Sequence, residues 1–231
     1  MALALQERPR ATPAPWSDLE AVLFDLDGTL VHSRIDFPAM KRAILDIVGA
    51  FGVELGDPTR LDILTIITDV APRVSDPADF RTQCEAALID IELAACEQIE
   101  EAEAAVATLG WLKHAGLRVG IVTRNSPQAV ERTLAQFPLP HDVLLTRADV
   151  PRVKPDPIHL WLALERLGAT PARSVMVGDH TMDILGGQRA GMRTLGICNG
   201  ERTVDFFAAA CPDGVIGFLP ELRQWISPSS W

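Results

Sequence analysis

The sequence predicts an α/β fold: a doubly wound parallel sheet with a small all-helical cap inserted after the first strand. Three observations lead there. Short, wholly apolar runs recur along the chain and stop abruptly at a polar residue, as strands buried on both faces do. Segments with helix start and stop signals lie between them, with short connections. One long stretch, residues 33–102, carries helical periodicity and no clear strand.

The first strand is Ala21-Val22-Leu23-Phe24, ending at Asp25. Later runs are Leu117–Val122 before Thr123, Val143–Leu145 before Thr146 and Ser174–Val177 before Gly178-Asp179. Arg193–Ile197 and Gly214–Ile216 follow, and Leu219-Pro220-Glu221-Leu222 reads as a short helix start. Between the strands, Pro127–Gln136 opens with Ser126 as N-cap and proline in the first turn. Pro157–Leu167 stops at Gly168, and Asp183–Ala190 stops before Gly191. In the insert, Phe37, Met40, Ile44, Ile47, Val48 and Phe51 fall on one helical stripe. Phe80, Cys84, Leu88, Ile91 and Ala95 form a second, and Pro58, Pro72 and Pro77 punctuate the pieces. The expected domains are a tail over 1–17, a core over 18–32 and 103–231, and a cap over 33–102.

Composition narrows the function class. The chain has 231 residues, 48% of them hydrophobic and 23% charged, which suits a globular protein with a sizeable core. No apolar run approaches the roughly 18 residues of a membrane span, and the N-terminus lacks the basic and apolar regions of a signal peptide. A net charge of −10 without a Lys/Arg cluster argues against nucleic acid as a partner. Cys84, Cys96, Cys198 and Cys211 include no CxxC pair and no nearby histidines to complete a zinc site, so they read as reduced thiols in a cytoplasmic protein.

The chemistry concentrates in four places. Asp25-Leu26-Asp27-Gly28-Thr29-Leu30 puts two carboxylates at the end of a buried strand, a costly arrangement unless something uses them. Residues two apart on a strand share a face, so both can address one site, and Gly28 permits a tight turn. A calcium loop would need Gly and Glu where Leu30 and Asp36 stand; a solvated strand-end turn is the plainer alternative. Thr123 offers a hydroxyl at a second strand end, either to a phosphate oxygen or as an ordinary cap. Lys154 sits between fixed backbones in Val153-Lys154-Pro155-Asp156-Pro157 and is one of only three lysines among 21 basic residues. A compact ammonium is therefore either required there or simply exposed. Gly178-Asp179 and Asp183 add two more carboxylates, which with Asp25 would repel one another unless a hard cation such as Mg²⁺ joined them. All four segments lie at the carboxyl ends of strands or in the loops beyond them, where open parallel sheets bind ligands.

Together these segments resemble the motifs of the haloacid dehalogenase-like hydrolase superfamily: Asp25-Leu26-Asp27-Gly28-Thr29, then Thr123, Lys154, and Gly178-Asp179 with Asp183. The resemblance runs from about residue 20 to 226, and the helical insert is similar to the cap of the phosphoglycolate phosphatase-like branch. It implies that Asp25 is the nucleophile and forms an aspartyl-phosphate, and that Asp27 is the general acid and base. It implies Thr123 and Lys154 as catalytic holders of the phosphoryl oxygens, with Arg124 and Asn125 beside them in the substrate-binding set. Mg²⁺ would be held by Asp25, the Asp27 carbonyl, Asp179 and Asp183, the last directly, through water, or as orienter of Lys154. Asp27 argues against the dehalogenase branch. The implied partner is a small phosphorylated metabolite, phosphoglycolate-like or a sugar phosphate, with no nucleic acid or membrane and with a monomer or homodimer as the state. A phosphomutase with the same residues, or a non-catalytic binding domain, are the alternatives.

Three positions depart from the commonest pattern. Arg124 stands where many relatives carry Asn, and either donates to substrate or points away and pairs with a surface acid, the second being favoured. His180 reads as a helix-start residue and His32 as a solvated hinge residue. In the cap, Arg34, Lys41, Arg42 and Arg73 are the candidate partners of a second anionic group on the substrate, or else surface charges. The acidic run Glu97, Glu100, Glu101 and Glu103 reads as a solvated helix face near the second hinge.

Overall fold

A computed structural model describes residues 15–200 and 202–227. Six strands form one sheet: β1 (Ala21–Phe24), β4 (Arg118–Val122), β5 (Val143–Leu145), β6 (Ser174–Gly178), β7 (Arg193–Ile197) and β8 (Gly214–Ile216). Their order is β5-β4-β1-β6-β7-β8, and every pairing is parallel. The chain builds outward from β1 to one edge through β4 and β5, then returns to build the other edge from β6. The switch point therefore lies at β1, where the crevice of such a sheet opens.

Both faces of β1 are covered, which explains its unbroken apolar run. Val22 and Phe24 point into one core with Leu109, Leu112 and Val130 from α4 (Ala105–His114) and α5 (Pro127–Gln136). Ala21 and Leu23 point into the opposite core with Leu160, Ala163 and Leu164 from α6 (Ile158–Leu167). Helix α7 runs over Thr181–Ala190, two residues earlier than expected, because His180 caps it by accepting from the Met182 amide at 3.1 Å. A 3-10 turn over Leu219–Glu221 leads into the short α8 (Leu222–Trp225).

The expected insert holds α1 (Phe37–Ala50), α2 (Ile63–Val70) and α3 (Pro77–Ala95). Asp36, Asp62 and Asp76 cap them by accepting backbone amides. Met40, Ile44, Val48, Ile66, Val70, Phe80, Cys84 and Leu88 make a separate core there. Burial pushes the Cys84 thiol up to about 11, so it packs as an inert thiol. Phe37 departs from its stripe: the residue is 53% exposed.

Four features differ from expectation. Two short strands, β2 (Val31–His32) and β3 (Glu100–Glu101), pair antiparallel where the insert leaves and rejoins the core. Glu97, Glu100, Glu101 and Glu103 are exposed as expected, but they lie on a 3-10 turn, on β3 and on the following turn rather than on a helix. Helix α4 was not foreseen. Of the expected tail, residues 1–14 lie outside the described residues, whereas Trp16 bridges to Ile226 and packs on Trp225 with ring centroids 5.2 Å apart. No helix among the described residues is long and apolar enough to cross a membrane.

Candidate active site

The carboxyl ends of β1, β4 and β6 converge on one cavity of about 450 Å³, which the insert covers. Asp25, Asp27, Thr123, Arg124, Asn125, Asp179 and Asp183 all line it. Lys154 reaches the same group from below: its Nζ donates to Asp25 Oδ1 at 2.8 Å and to Asp183 Oδ1 at 2.6 Å. The four segments separated in sequence are thus one constellation.

Asp25 is fixed by the sheet, since its amide donates to the Val177 carbonyl at 3.0 Å. Its side chain keeps 16% exposure, whereas those of Lys154 and Asp183 are nearly sealed at 1% and 3%. Burial opposes the ammonium of Lys154, but the Asp183 and Asp25 carboxylates outweigh it and hold its pKa above the usual lysine value. Two glycines make the close packing possible. Gly28 has φ +79°, and a Cβ there would overlap the Asp179 carboxylate; a Cβ on Gly178 would overlap Asp183.

The carboxylate oxygens of Asp25, Asp179 and Asp183 include one from each residue within 4.8 Å of the others. The cations already present show how strongly the cluster attracts positive charge. Lys154 bridges two of its members, while the Arg202 guanidinium pairs with Asp179 and Asn199 Nδ2 donates to Asp179 Oδ2 at 2.8 Å. Hard oxygen donors in a crowded anionic cluster fit a magnesium-sized cation. Asp27 accepts from the Ser33 amide at 2.9 Å. Burial raises its carboxyl pKa, against the Ser33 hydrogen bonds, and the Asp25 charge adds to the rise.

Thr123 is 1% exposed, and its Oγ1 accepts from the Asn125 amide at 3.2 Å. The loop 123–126 is also held from the insert. The buried Glu92 of α3 accepts from the Ser126 amide at 3.0 Å and pairs with Arg147, which in turn donates to the Arg124 carbonyl at 3.2 Å. Arg124 pairs with an acid as favoured from sequence, its Nη2 meeting Asp62 Oδ1 at 2.5 Å, but it does not point away from the site: it lines the cavity. That acid belongs to the insert and lines the cavity. His180 and His32 both line the cavity, His180 as the cap of α7 and His32 as an exposed residue of β2.

Glu92, Arg147, Asn199, Arg202 and Asp62 were not singled out from sequence. Glu92 had a signal, since it falls four residues after Leu88 on a stripe that is otherwise apolar. The others pair across long sequence separations and had none.

His159 on α6 is fully buried near Lys154, and neither ring nitrogen has a well-formed hydrogen-bond partner. Burial, reinforced by the Lys154 charge, pushes its pKa down from 6.5 to about 3. The unfolded chain thus takes up this proton at a higher pH than the folded one. Stability is lost as pH falls from 6.5 toward 3, at about 1.4 kcal/mol per unit. Urea unfolding should show the wild type losing about 2 kcal/mol more than His159→Phe between pH 6.5 and about 5. Equal losses would mean that the ring is protonated in the fold.

A six-stranded parallel sheet with polar motif segments converging at its carboxyl edge defines an α/β protein with a candidate catalytic crevice there. The match to the haloacid dehalogenase-like hydrolase family covers residues 22–197, so the chain belongs to that family and is a hydrolase. Among similar proteins, pyrophosphatase PpaX of Bacillus mycoides is 32% identical over 221 residues, covering 90% of this chain and 97% of the relative. PpaX of Bacillus cereus is 31% identical over 226 residues, with the same coverage. A hydrolase from Pseudomonas syringae has the same fold with a TM-score of 0.69 at 21% identity, over 90% of this chain and 100% of the other. CbbY from Rhodobacter sphaeroides in complex with phosphate follows at 0.62 and 23%, over 88% and 96%.

Proposed function

We propose that this hydrolase is a Mg²⁺-dependent phosphatase that cleaves a small phosphate monoester through an aspartyl-phosphate at Asp25. The observation that carries the reading is the shared ammonium. Lys154 holds Asp25 on one side and Asp183 on the other, beneath the floor of a covered cavity. A carboxylate oxygen fixed beside a buried cation can approach a dianionic phosphoryl group that it would otherwise repel.

In the first step an Asp25 oxygen attacks phosphorus and the ester oxygen leaves. Asp27 gives that oxygen a proton, a task suited to a carboxyl whose pKa is raised. In the second step Asp27, now a carboxylate, takes a proton from water. The resulting oxygen attacks the same phosphorus, phosphate leaves, and Asp25 is restored. Thr123 and Lys154 hold the phosphoryl oxygens, and Arg124 and Asn125 complete the substrate-binding loop. Asp25, the Asp27 carbonyl, Asp179 and Asp183 are the groups to hold Mg²⁺, which when bound neutralises charge on the phosphoryl oxygens. Residues 18–32 and 103–231 act as the catalytic core, and 33–102 as a cap that excludes water.

Phosphate release from a panel of monoesters, including an activated aryl ester, tests the reading. Turnover with Mg²⁺ that stops in excess chelator is expected. No release from any ester would overturn it.

A further inference from the structure

The cap side of the cavity is apolar and offers an incoming substrate no free positive charge. Ile35, Phe37, Met40, Ile63, Leu64 and Leu88 line it from the insert. The charged cavity residues that the insert contributes are both acids, Asp62 and Glu92, among the described residues. The cations expected to meet a second anionic group are elsewhere. Lys41 donates to the Thr59 and Leu61 carbonyls at 2.8 and 2.9 Å, and Arg73 to the Glu54 carbonyl at 3.2 Å. Arg34 and Arg42 are exposed and do not line the cavity.

The core contributes His32, His180 and three arginines to the lining; the two arginines that meet the insert already have acids there, and the third answers Asp179 of the carboxylate cluster. Arg124 is with Asp62, Arg147 with Glu92 and Glu85, and Arg202 with Asp179. A second phosphate or carboxylate pressed against the cap would therefore meet Asp62 and Glu92 without an unpaired cation, and would lose its hydration. An uncharged hydrocarbon group would instead cover exposed apolar surface, including Phe37, a residue 53% exposed. The space is ample: about 450 Å³ lies within the range of roughly 300–1,000 Å³ that encloses small organic ligands.

We infer that the substrate is a phosphate monoester with an uncharged, apolar leaving group, alkyl or aryl, seated on the cap wall around Phe37 and Ile63. The inference rests on the phosphatase reading above and narrows it. Of the phosphoglycolate-like and sugar phosphate substrates expected from sequence, it disfavours the first, whose leaving group carries a second anion.

The test compares kcat/KM for hexyl phosphate and for 6-phosphonooxyhexanoate, which differ only in a terminal carboxylate, with pyrophosphate as a third probe. Hexyl phosphate is expected to lead the carboxylate by about tenfold or more. The Phe37→Ala enzyme should lower that ratio about tenfold, mainly through KM for hexyl phosphate. The Phe37→Arg enzyme should move it further by favouring the carboxylate. Phe37 is exposed, so neither change threatens folding. Preference of the unaltered enzyme for the carboxylate or pyrophosphate overturns the inference and leaves the phosphatase reading standing. A ratio that neither variant moves also overturns it. Absence of turnover with every ester overturns both.

Discussion

Replacing Lys154 with methionine should destabilise the fold by about 3–5 kcal/mol and abolish turnover. The methionine fills a similar volume, so packing is nearly kept and the loss is electrostatic. The Lys154 side chain is 1% exposed and answers both Asp25 and Asp183. Without it, three carboxylates stand together, and Asp183 is buried with no cation beside it. Acid should narrow the gap between variant and wild type, because the orphaned carboxyls can then take up protons. Lys154→Arg should rescue poorly, since a planar fork cannot replace a compact ammonium in a sealed site. Denaturant titration reads the stability, and a loss below about 1 kcal/mol would show that the cluster tolerates its charge without the lysine.

The Asp25→Asn enzyme should behave in the opposite way. Turnover should fall by about 10⁴-fold or more, because the nucleophilic oxygen is replaced while its neighbours remain. Stability should be unchanged or slightly raised. One of three mutually repelling carboxylates loses its charge, and Lys154 keeps Asp183 at 2.6 Å. Active sites commonly hold such like-charge strain, and relieving it stabilises the fold at the cost of function. Thermal melts and phosphate release on the same preparation check both halves. Substantial remaining activity would remove Asp25 from the nucleophile's role.

Much of the core was readable because its strands are buried on both faces. Ala21-Val22-Leu23-Phe24 has no polar residue to confuse the pattern, and Asp25 marks where it meets the site. The insert helices were readable for a related reason: Met40, Ile44 and Val48 repeat at the helical period against their own core. Other elements lacked any such signal. β2 and β3 are two residues each, too short for periodicity. Helix α4 begins after Ala104, whose φ is 58° and whose side chain caps nothing, so no start signal precedes it. The sequence placed Arg124 next to Thr123, but nothing local says that Asp62 will meet it. Likewise the clasp of Glu92 on Ser126 and Arg147 exists only once α3 lies against the 123–126 loop. Asp25, Thr123 and Asp179 were visible because they follow buried strands, and Lys154 because prolines frame it; their partners arise from tertiary contacts between distant segments.

The most direct measurement is covalent trapping. The enzyme is mixed with ³²P-labelled monoester and Mg²⁺, quenched in acid within a turnover, and digested. Labelled phosphate is expected on the peptide that contains Asp25, lost on treatment with hydroxylamine as an acyl phosphate should be. Full turnover with no label on that peptide at any quench time would mean that water attacks the ester directly, and would contradict the central role given to Asp25.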